Sequence, residues 1–222
     1  MSAEVLIKGE AIHRSYRLGK TELEVLRGVD VEIRKGEKVF LCGASGAGKT
    51  TLMYTLAGLE RPQRGRVMIE GQDIYAMSRR RQARMRNARI GYVFQNYYLL
   101  PELTALENVL LPATIGGTNA TKRANELLEA VGLGERKEHL PNELSGGEQQ
   151  RVAIARSLSN QPAIIFADEP TGNLDSKNGE EIMKILLGFA DELETTLVVV
   201  THDPELAKRG DRTLMIRDGL II

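Results

Sequence analysis

A glycine-rich stretch near residue 45 has the residue types and the spacing of a phosphate-binding loop. The stretch GASGAGKTT spans Gly43–Thr51 and fits the pattern G-x-x-x-x-G-K-[ST] between an apolar run and a helical segment. Glycines at these positions let backbone N–H groups face phosphate oxygens, and the following helix adds positive potential. Lys49 is expected to reach the β and γ phosphates, and Thr50 to offer its hydroxyl to Mg²⁺.

An acidic pair, Asp168-Glu169, follows the apolar run AIIFA. A lone pair of this kind is ordinarily a solvated strand end, but a phosphate loop upstream on a parallel sheet changes that interpretation. One carboxylate, Asp168, would then orient the Mg²⁺ shell, and Glu169 would act as general base on the attacking water. The two motifs together predict a Mg²⁺-dependent nucleoside triphosphatase.

Two further polar residues end apolar strands: Gln95 after GYVF and His202 after LVVVT. Parallel strands end on one edge of an open sheet, where ligands bind in α/β folds. Gln95 is expected to contact Mg²⁺ or the lytic water, and His202 the γ-phosphate. Either residue alone would more often be a strand-end residue whose hydrogen bonds are made within the fold. The prediction therefore depends on both residues occurring together with the phosphate loop.

The stretch ELSGGEQQRVAIARSLS places Ser145, Gly146 and Gly147 directly before a helix, which is a second arrangement suited to an anion. This turn need not serve the nucleotide of its own chain. In a head-to-tail dimer, each turn would cover the γ-phosphate held by the other subunit. The alternative is a plain helix N-cap, because serine is a preferred cap residue.

The elements around these motifs predict one α/β domain with a mostly parallel sheet. Apolar strand-sized runs alternate with helical spacing at both ends of the 222-residue chain, whereas residues 97–158 carry mainly helical patterns. We therefore expect a nucleotide-binding core with an N-terminal β subdomain from residues 1–96 and 159–222, and a helical insert at 97–158. The predicted helices include 49–57, 104–111, 121–131, 146–158 and 176–193.

Composition limits the classes of partner. Lys and Arg total 30, as do Asp and Glu, so no global field favours nucleic acid or an anionic membrane. Six arginines between Arg79 and Arg89 would suit an anion, but a solvated helix face is the favoured interpretation. The single cysteine, Cys42, fits a reducing compartment. No apolar run approaches the ~20 residues that span a bilayer, and the N-terminus lacks the layout of a signal peptide. A cytoplasmic location is therefore expected.

The motifs taken together resemble those of the ATP-binding cassette (ABC) ATPases. LSGGEQQR at Leu144–Arg151 looks like the family signature, and the phosphate loop, Gln95, the Asp168-Glu169 strand, the segment Asn173-Leu174-Asp175 and His202 follow the family order. The resemblance implies a P-loop NTPase fold with a RecA-like core, and an ATP and Mg²⁺ site. It implies Lys49, Gln95, Glu169 and His202 as catalytic residues, and Thr50, Gln95 and Asp168 as metal ligands. The implied ATP contacts are Tyr16 on adenine, Val25, Gly43, Ala44, Ser45, Gly46, Ala47, Gly48, Lys49, Thr50, Thr51 and Gln95, with Ser145, Gly146, Gly147 and Asp175 from the partner.

The chain looks most like the LolD/MacB/FtsE group of ABC ATPases. The resemblance implies a homodimer that closes on ATP and drives an integral membrane permease, peripherally on the inner face of the cell membrane, with lipoprotein release as the expected process. YYLLPELTALENV, after Gln95, lies where family transporters receive a coupling helix. MacB-type chains carry their own membrane segment and this sequence has none, which favours a separate permease. The alternatives are MacB-type efflux, an FtsE-like division ATPase, or a soluble ABC ATPase acting on nucleic acid or ribosomes. Only the arginine cluster supports the last, so no nucleic acid partner is expected.

Overall fold

A computed structural model describes residues 4–19 and 21–222. The first three residues of the N-terminal stretch that was compared with a signal peptide lie outside the described residues. The elements in chain order are β1 Val5–Leu18, β2 Thr21–Arg34, β3 Lys38–Cys42, α1 Lys49–Leu56, β4 Arg64–Ile69, β5 Gln72–Asp73, α2 Arg79–Arg89, β6 Ile90–Phe94, α3 Ala105–Gly116, α4 Thr121–Ala130, α5 Gly146–Leu158, β7 Ile164–Asp168, α6 Ser176–Glu192, β8 Thr196–Val200, α7 Pro204–Ala207, β9 Arg212–Arg217 and β10 Leu220–Ile221. Short 3₁₀ turns lie at Gly134–Arg136 and Pro141–Glu143.

The first compact unit joins the described residues up to Ala83 with Thr196–Ile222. Its N-terminal strands form an antiparallel sheet in the order β2-β1-β4-β5. Strand β3 lies between β8 and β9, parallel to both, and β10 pairs antiparallel with β9. The run Val39–Leu41 is fully buried, as expected for a strand covered on both faces. Helix α1 packs against β1, β2 and β8, and its Leu52, Met53 and Leu56 are fully buried.

The β1–β2 hairpin is much longer than the sequence indicates. Apolar patterning predicts strands only near residues 4–9 and 29–33, but each strand has 14 residues and pairing continues to Tyr16↔Leu23 and Arg17↔Glu22. The first four residues of β2 are exposed, so no apolar alternation marks them. Backbone ladder bonds, which require no particular side chain, extend the hairpin.

The second compact unit spans Arg84–Thr195. Strands β6 and β7 pair in parallel with Phe94 opposite Asp168, and helices α3, α4, α5 and α6 belong to the same unit. Helical spacing predicts an apolar stripe of Ile182, Met183, Leu186, Leu187 and Ala190 on α6. All of these are buried except Leu187, which is half-buried. The fold class is confirmed as α/β with an antiparallel sheet. The predicted insert at 97–158 lies within this unit, and its status as a separate subdomain stays a prediction.

Helix α3 departs from its predicted end at Leu111 by continuing through Pro112 to Gly116. A proline inside a helix removes one backbone hydrogen bond. Here the helix starts from a complete capping box of Thr104 and Glu107, and the Pro112 carbonyl accepts a hydrogen bond from Asn87 Nδ2 at 2.9 Å. These contacts stabilise the helix on both sides of the proline.

The arginine-rich segment forms helix α2, none of whose residues is buried. This is the arrangement expected of a solvated helix face. Within the part of the chain that the structure describes, no helix is both long enough and apolar enough to cross a membrane.

Candidate functional site

In the first unit, the phosphate loop connects β3 to α1 as predicted. Gly43, Gly46 and Gly48 have φ values of 148°, 78° and 104°, which only glycine adopts without strain. A Cβ on Gly43 would lie 2.1 Å from the Ile216 carbonyl oxygen, because β9 runs directly beside the loop. The loop backbone is therefore held close to its neighbours, in a conformation that requires glycine.

Lys49 is already folded across this loop. Its ammonium group donates to the carbonyl oxygens of Gly43 and Ala44, both at 2.9 Å, and the residue is 6% exposed. Helix α1 begins after Gly48 and has no side-chain cap. These features suit a bound phosphate chain: a placed cation and a helix start without a side-chain cap.

His202 lies near the same loop, because β8 pairs with β3. Leu41 is opposite Val200, and the backbone N–H of Thr201 donates to the Leu41 carbonyl at 3.2 Å. The polar segment after β8 therefore starts beside the strand that leads into the phosphate loop. Cys42 is buried at the end of that strand, and burial raises the pKa of its thiol, as expected for a packed cysteine.

The predicted adenine platform, Tyr16, lies on β1 and is held by two partners. Its hydroxyl donates to Glu60 at 2.5 Å, and the Arg14 guanidinium lies 4.7 Å from the ring centroid. Arg14 in turn donates to the other oxygen of Glu60 at 2.9 Å. One face of the ring is thus covered by a cation. Val25 is predicted to add packing, and its carbonyl oxygen would lie 3.0 Å from a Cβ on Gly48.

In the second unit, Gln95 and the acidic pair lie at the ends of paired strands. The register Phe94↔Asp168 places Gln95 and Glu169 one residue beyond the pairing. Asp168 is 8% exposed, and Glu169 has a left-handed φ of 42°, which is uncommon for a side chain other than glycine. The sequence prediction that these residues meet at one sheet edge is therefore met for Gln95, Asp168 and Glu169.

An amide pair that the sequence did not indicate fixes the Gln95 side chain. Gln95 Nε2 donates to Asn173 Oδ1 at 3.2 Å, and Asn173 Nδ2 donates to the Gln95 carbonyl at 3.0 Å. A Cβ on Gly172 would lie 2.7 Å from Gln95 Nε2, so the neighbouring glycine admits this contact. Only the family match of Asn173 could have pointed to it.

The Ser145-Gly-Gly turn starts helix α5 through a complete capping box. Ser145 Oγ accepts from the Glu148 N–H at 3.4 Å and donates to Glu148 Oε2 at 2.7 Å. Hydrogen bonds from Ser145 lower the pKa of the Glu148 carboxyl. The N-cap alternative is therefore present in the structure, and the S-x-x-E spacing was a readable sign of Glu148.

The side chains of Tyr97 and Asn178 lie beside this turn. The Tyr97 hydroxyl would be 2.9 Å from a Cβ on Gly146, and Asn178 would be the nearest neighbour of a Cβ on Gly147. Asn178 donates through its backbone and its side chain to Asp175, which lowers the pKa of that carboxyl. The turn, Tyr97 and Asp175 thus form one cluster within the second unit.

The described residues contain no cluster of three or more His, Cys, Asp or Glu side chains able to hold a metal ion by themselves. The assignment of Thr50, Gln95 and Asp168 as metal ligands stays a prediction.

The sequence of this chain matches a known protein family and several named relatives. Residues 26–172 match the ABC transporter family model. The chain is 48% identical over 98% of its length to the lipoprotein-releasing system ATP-binding protein LolD of Shewanella oneidensis, of which it covers 96%. It is 46% identical over 97% of its length to the macrolide export ATP-binding/permease protein MacB of Syntrophobacter fumaroxidans, of which it covers 31%.

A solved structure gives the same result. The ATP-binding cassette MJ0796, determined as a dimer in a post-hydrolysis state with ADP and Pi bound, superposes with a TM-score of 0.90 and 40% sequence identity. The alignment covers 97% of this chain and 96% of that one. The resemblance inferred from the motifs is confirmed, and the chain belongs to the ABC transporter family as an ATP-hydrolysing, nucleotide-binding subunit.

Proposed function

We propose that two copies of this chain bind ATP head-to-tail and use its hydrolysis to drive a membrane permease that releases lipoproteins. The observation that supports the proposal is that two helix starts in one chain, after the phosphate loop and after the Ser145-Gly-Gly turn, are of the kind that suits an anion. The identity to LolD over nearly the full length of both chains supports the process, and the dimeric state of MJ0796 supports the assembly.

Each predicted residue takes a role in this proposal. The loop Gly43–Thr51 holds the phosphates with Lys49, while Tyr16 and Val25 hold the base. Mg²⁺, held by Thr50, Gln95 and Asp168, would neutralise phosphate charge. Glu169 deprotonates or orients the attacking water, and His202 donates to the γ-phosphate.

The partner subunit completes the site. Ser145, Gly146 and Gly147 of one copy would cover the γ-phosphate bound by the other, with two open helix N–H groups as donors. For that contact Ser145 Oγ must leave Glu148 Oε2, to which it now donates at 2.7 Å. Asp175 lies in the same cluster and would report on the opposite nucleotide.

A groove in the second unit supports a membrane subunit as the partner. It has a volume of about 290 Å³ and its apolar lining includes the rings of Tyr92, Phe94 and Tyr98 and the side chain of Ile115. Tyr98 and Ile115 are 61% and 71% exposed, although both have large hydrophobic side chains. The predicted coupling-helix segment Tyr97–Val109 contributes to this groove, which we name the docking groove. Exposed apolar surface of this kind marks an interaction site.

The location follows from the partner. In this proposal the docked permease attaches the chain to the membrane. The chain would then lie peripherally on the cytoplasmic face of the cell membrane, where ATP is available.

The test uses the Glu169→Gln variant with Mg-ATP, purified by affinity from detergent-solubilised native membranes. We expect a few-span membrane protein with a large extracytoplasmic domain to be retained, and transfer of lipoproteins to require the wild-type chain. The matched control, Glu169→Gln combined with Ile115→Glu, should keep ATP binding but lose the membrane protein. Retention of ribosomal or nucleic-acid components instead would refute the proposal, and drug export without lipoprotein release would favour a MacB-like process.

A further inference from the structure

The docking groove contains positive charge and no negative charge. Two of its lining residues are the arginines Arg86 and Arg156, and the remaining lining residues are neutral. They are Asn87, Ile90, Gly91, Tyr92, Phe94, Tyr98, Leu111, Pro112, Ile115, Ser157 and Asn160. Arg156 therefore lies in a mainly apolar groove whose lining residues include no carboxylate.

Arg156 is the more confined of the two cations. Its Nη1 donates to the Tyr98 carbonyl at 2.5 Å and its Nη2 to the Tyr97 carbonyl at 2.6 Å. A guanidinium carries five N–H donors, and these two carbonyls are the acceptors that the described residues supply to it. None of the ion pairs found among the described residues includes Arg156.

Burial lowers the pKa of Arg156 to about 10, and no carboxylate opposes that effect. The sign indicates that the surroundings disfavour the charged form, whereas an adjacent carboxylate would favour it. Arg66 gives the contrast, because the neighbouring Glu10 carboxylate raises the pKa of that guanidinium. Backbone carbonyls satisfy part of the hydrogen bonding of Arg156 but provide no net negative charge.

We propose that the segment of the membrane subunit that fills the docking groove carries an aspartate or glutamate between apolar residues, and that this carboxylate pairs with Arg156. The inference rests on the proposed function, since it names the chemistry of the partner that the groove receives. The apolar walls take the flanking side chains, and the planar guanidinium takes the carboxylate.

A protein segment fits these features better than a nucleic acid does. The groove walls are aromatic and aliphatic, and two hydrogen bonds hold the Arg156 guanidinium in place. A nucleic acid would instead need several phosphate contacts spread along its backbone. The exposed helix α2 would suit a nucleic acid better, and nucleic-acid binding is the competing outcome of the test.

The test places a photo-crosslinking amino acid at Ile115, on the rim of the groove, in the full chain assembled in native membranes. The crosslinked peptide is identified by mass spectrometry. We expect it to come from a membrane protein and to contain an acidic residue within one or two helical turns of the crosslink. A membrane-protein peptide without such a residue would overturn the inference and leave the proposed function standing. Crosslinks only to ribosomal protein or nucleic acid would overturn both.

A double-mutant cycle on the identified pair then measures the contact. Arg156→Met and the partner's acidic residue changed to its amide should each weaken the isolated complex by roughly 30-fold or more. The double variant should lose little beyond either single variant, and additive losses would refute the pairing. Because Arg156 also holds two carbonyls, ATP affinity and urea unfolding of Arg156→Met are measured on the isolated chain. Arg156→Lys, which keeps the charge, should recover part of the binding and serves if Arg156→Met does not fold.

Discussion

Gly43 offers a sharp test of the phosphate-loop geometry, because its missing side chain is required on two counts. Its φ of 148° is a conformation that other residues rarely adopt, and a Cβ there would lie 2.1 Å from the Ile216 carbonyl oxygen. That distance is about 1 Å shorter than the closest tolerable carbon–oxygen contact. Gly43→Ala should therefore shift either the loop or β9.

The expected magnitude combines these two costs. Backbone strain of this kind costs about 1–3 kcal/mol, and overpacking against a fixed neighbour costs about as much again. The sum, roughly 2–6 kcal/mol, is a large fraction of the ~5–15 kcal/mol that stabilises a typical domain. Gly46→Ala is the matched control in the same loop, because its φ is 78° and no atom lies within 4 Å of a Cβ there. It should cost only about 1–2 kcal/mol.

Urea unfolding without nucleotide measures the stability of both variants, and titration with a fluorescent ATP analogue measures binding. We expect Gly43→Ala to unfold at a clearly lower urea concentration than Gly46→Ala. We also expect a measurable decrease in its affinity for the fluorescent ATP analogue. Equal unfolding midpoints for the two variants would show that β9 does not constrain the start of the loop, and the reasoning would be wrong.

Single substitutions at Glu169, Glu148 and Arg14 test other parts of the site. Glu169→Gln should slow ATP hydrolysis by ~10²–10⁴ while ATP-dependent dimerisation persists in sedimentation, and an unchanged rate would exclude this residue as the base. Hydrogen bonds from Ser145 lower the pKa of the Glu148 carboxyl in the folded protein. The ionised carboxylate therefore stabilises the fold fully above the ordinary glutamate pKa of about 4.3. This stabilisation is lost as the pH falls through the lower pKa of the folded state. Urea unfolding of Glu148→Gln between pH 3 and 7 should therefore show a weaker acid dependence than the wild type, and identical slopes would contradict the capping geometry. Arg14→Met uncovers one face of the Tyr16 ring and removes a hydrogen-bond partner of Glu60. It should raise the Kd for ATP by roughly 2–10-fold and leave kcat nearly unchanged. A fall in kcat alone would refute a role of Arg14 in binding adenine.

The parts of the site that the sequence predicts are those whose chemistry depends on neighbours in the chain. The phosphate loop, the Asp168-Glu169 strand end and the Ser145-Gly-Gly helix start are each contained in fewer than ten residues at a strand or helix boundary. Their local conformation follows from the glycines, the apolar run before them and the helix after them. Strand–helix alternation predicted that parallel strands end on one edge of the sheet. The pairing of β6 with β7, which places Gln95 one residue past Asp168's partner, comes from the structure.

The features that the sequence did not predict depend on contacts between distant residues or on backbone pairing. The outer half of the β1–β2 hairpin is polar on its exposed face, so its strands carry no period-two apolar pattern. Pro112 is a strong helix-end signal in isolation, but contacts from elsewhere in the second unit stabilise the helix through it. The Gln95–Asn173 pair joins residues 78 positions apart, and no local pattern encodes such a contact.

The same long-range contacts indicate how a docked partner would influence the signature turn. Arg156, at the end of α5, holds the carbonyls of Tyr97 and Tyr98, both of which have left-handed φ values. Tyr98 packs edge-on against Phe94 in the docking groove, with ring centroids 5.1 Å apart, while the Tyr97 hydroxyl lies against Gly146 at the start of α5. A segment that entered the groove and engaged Arg156 would therefore act on Tyr97 and Tyr98, of which Tyr97 contacts the signature turn. Most residues of helix α5 between these ends are buried, so we expect a shift at Tyr97–Tyr98 to move Gly146 through the Tyr97 hydroxyl contact.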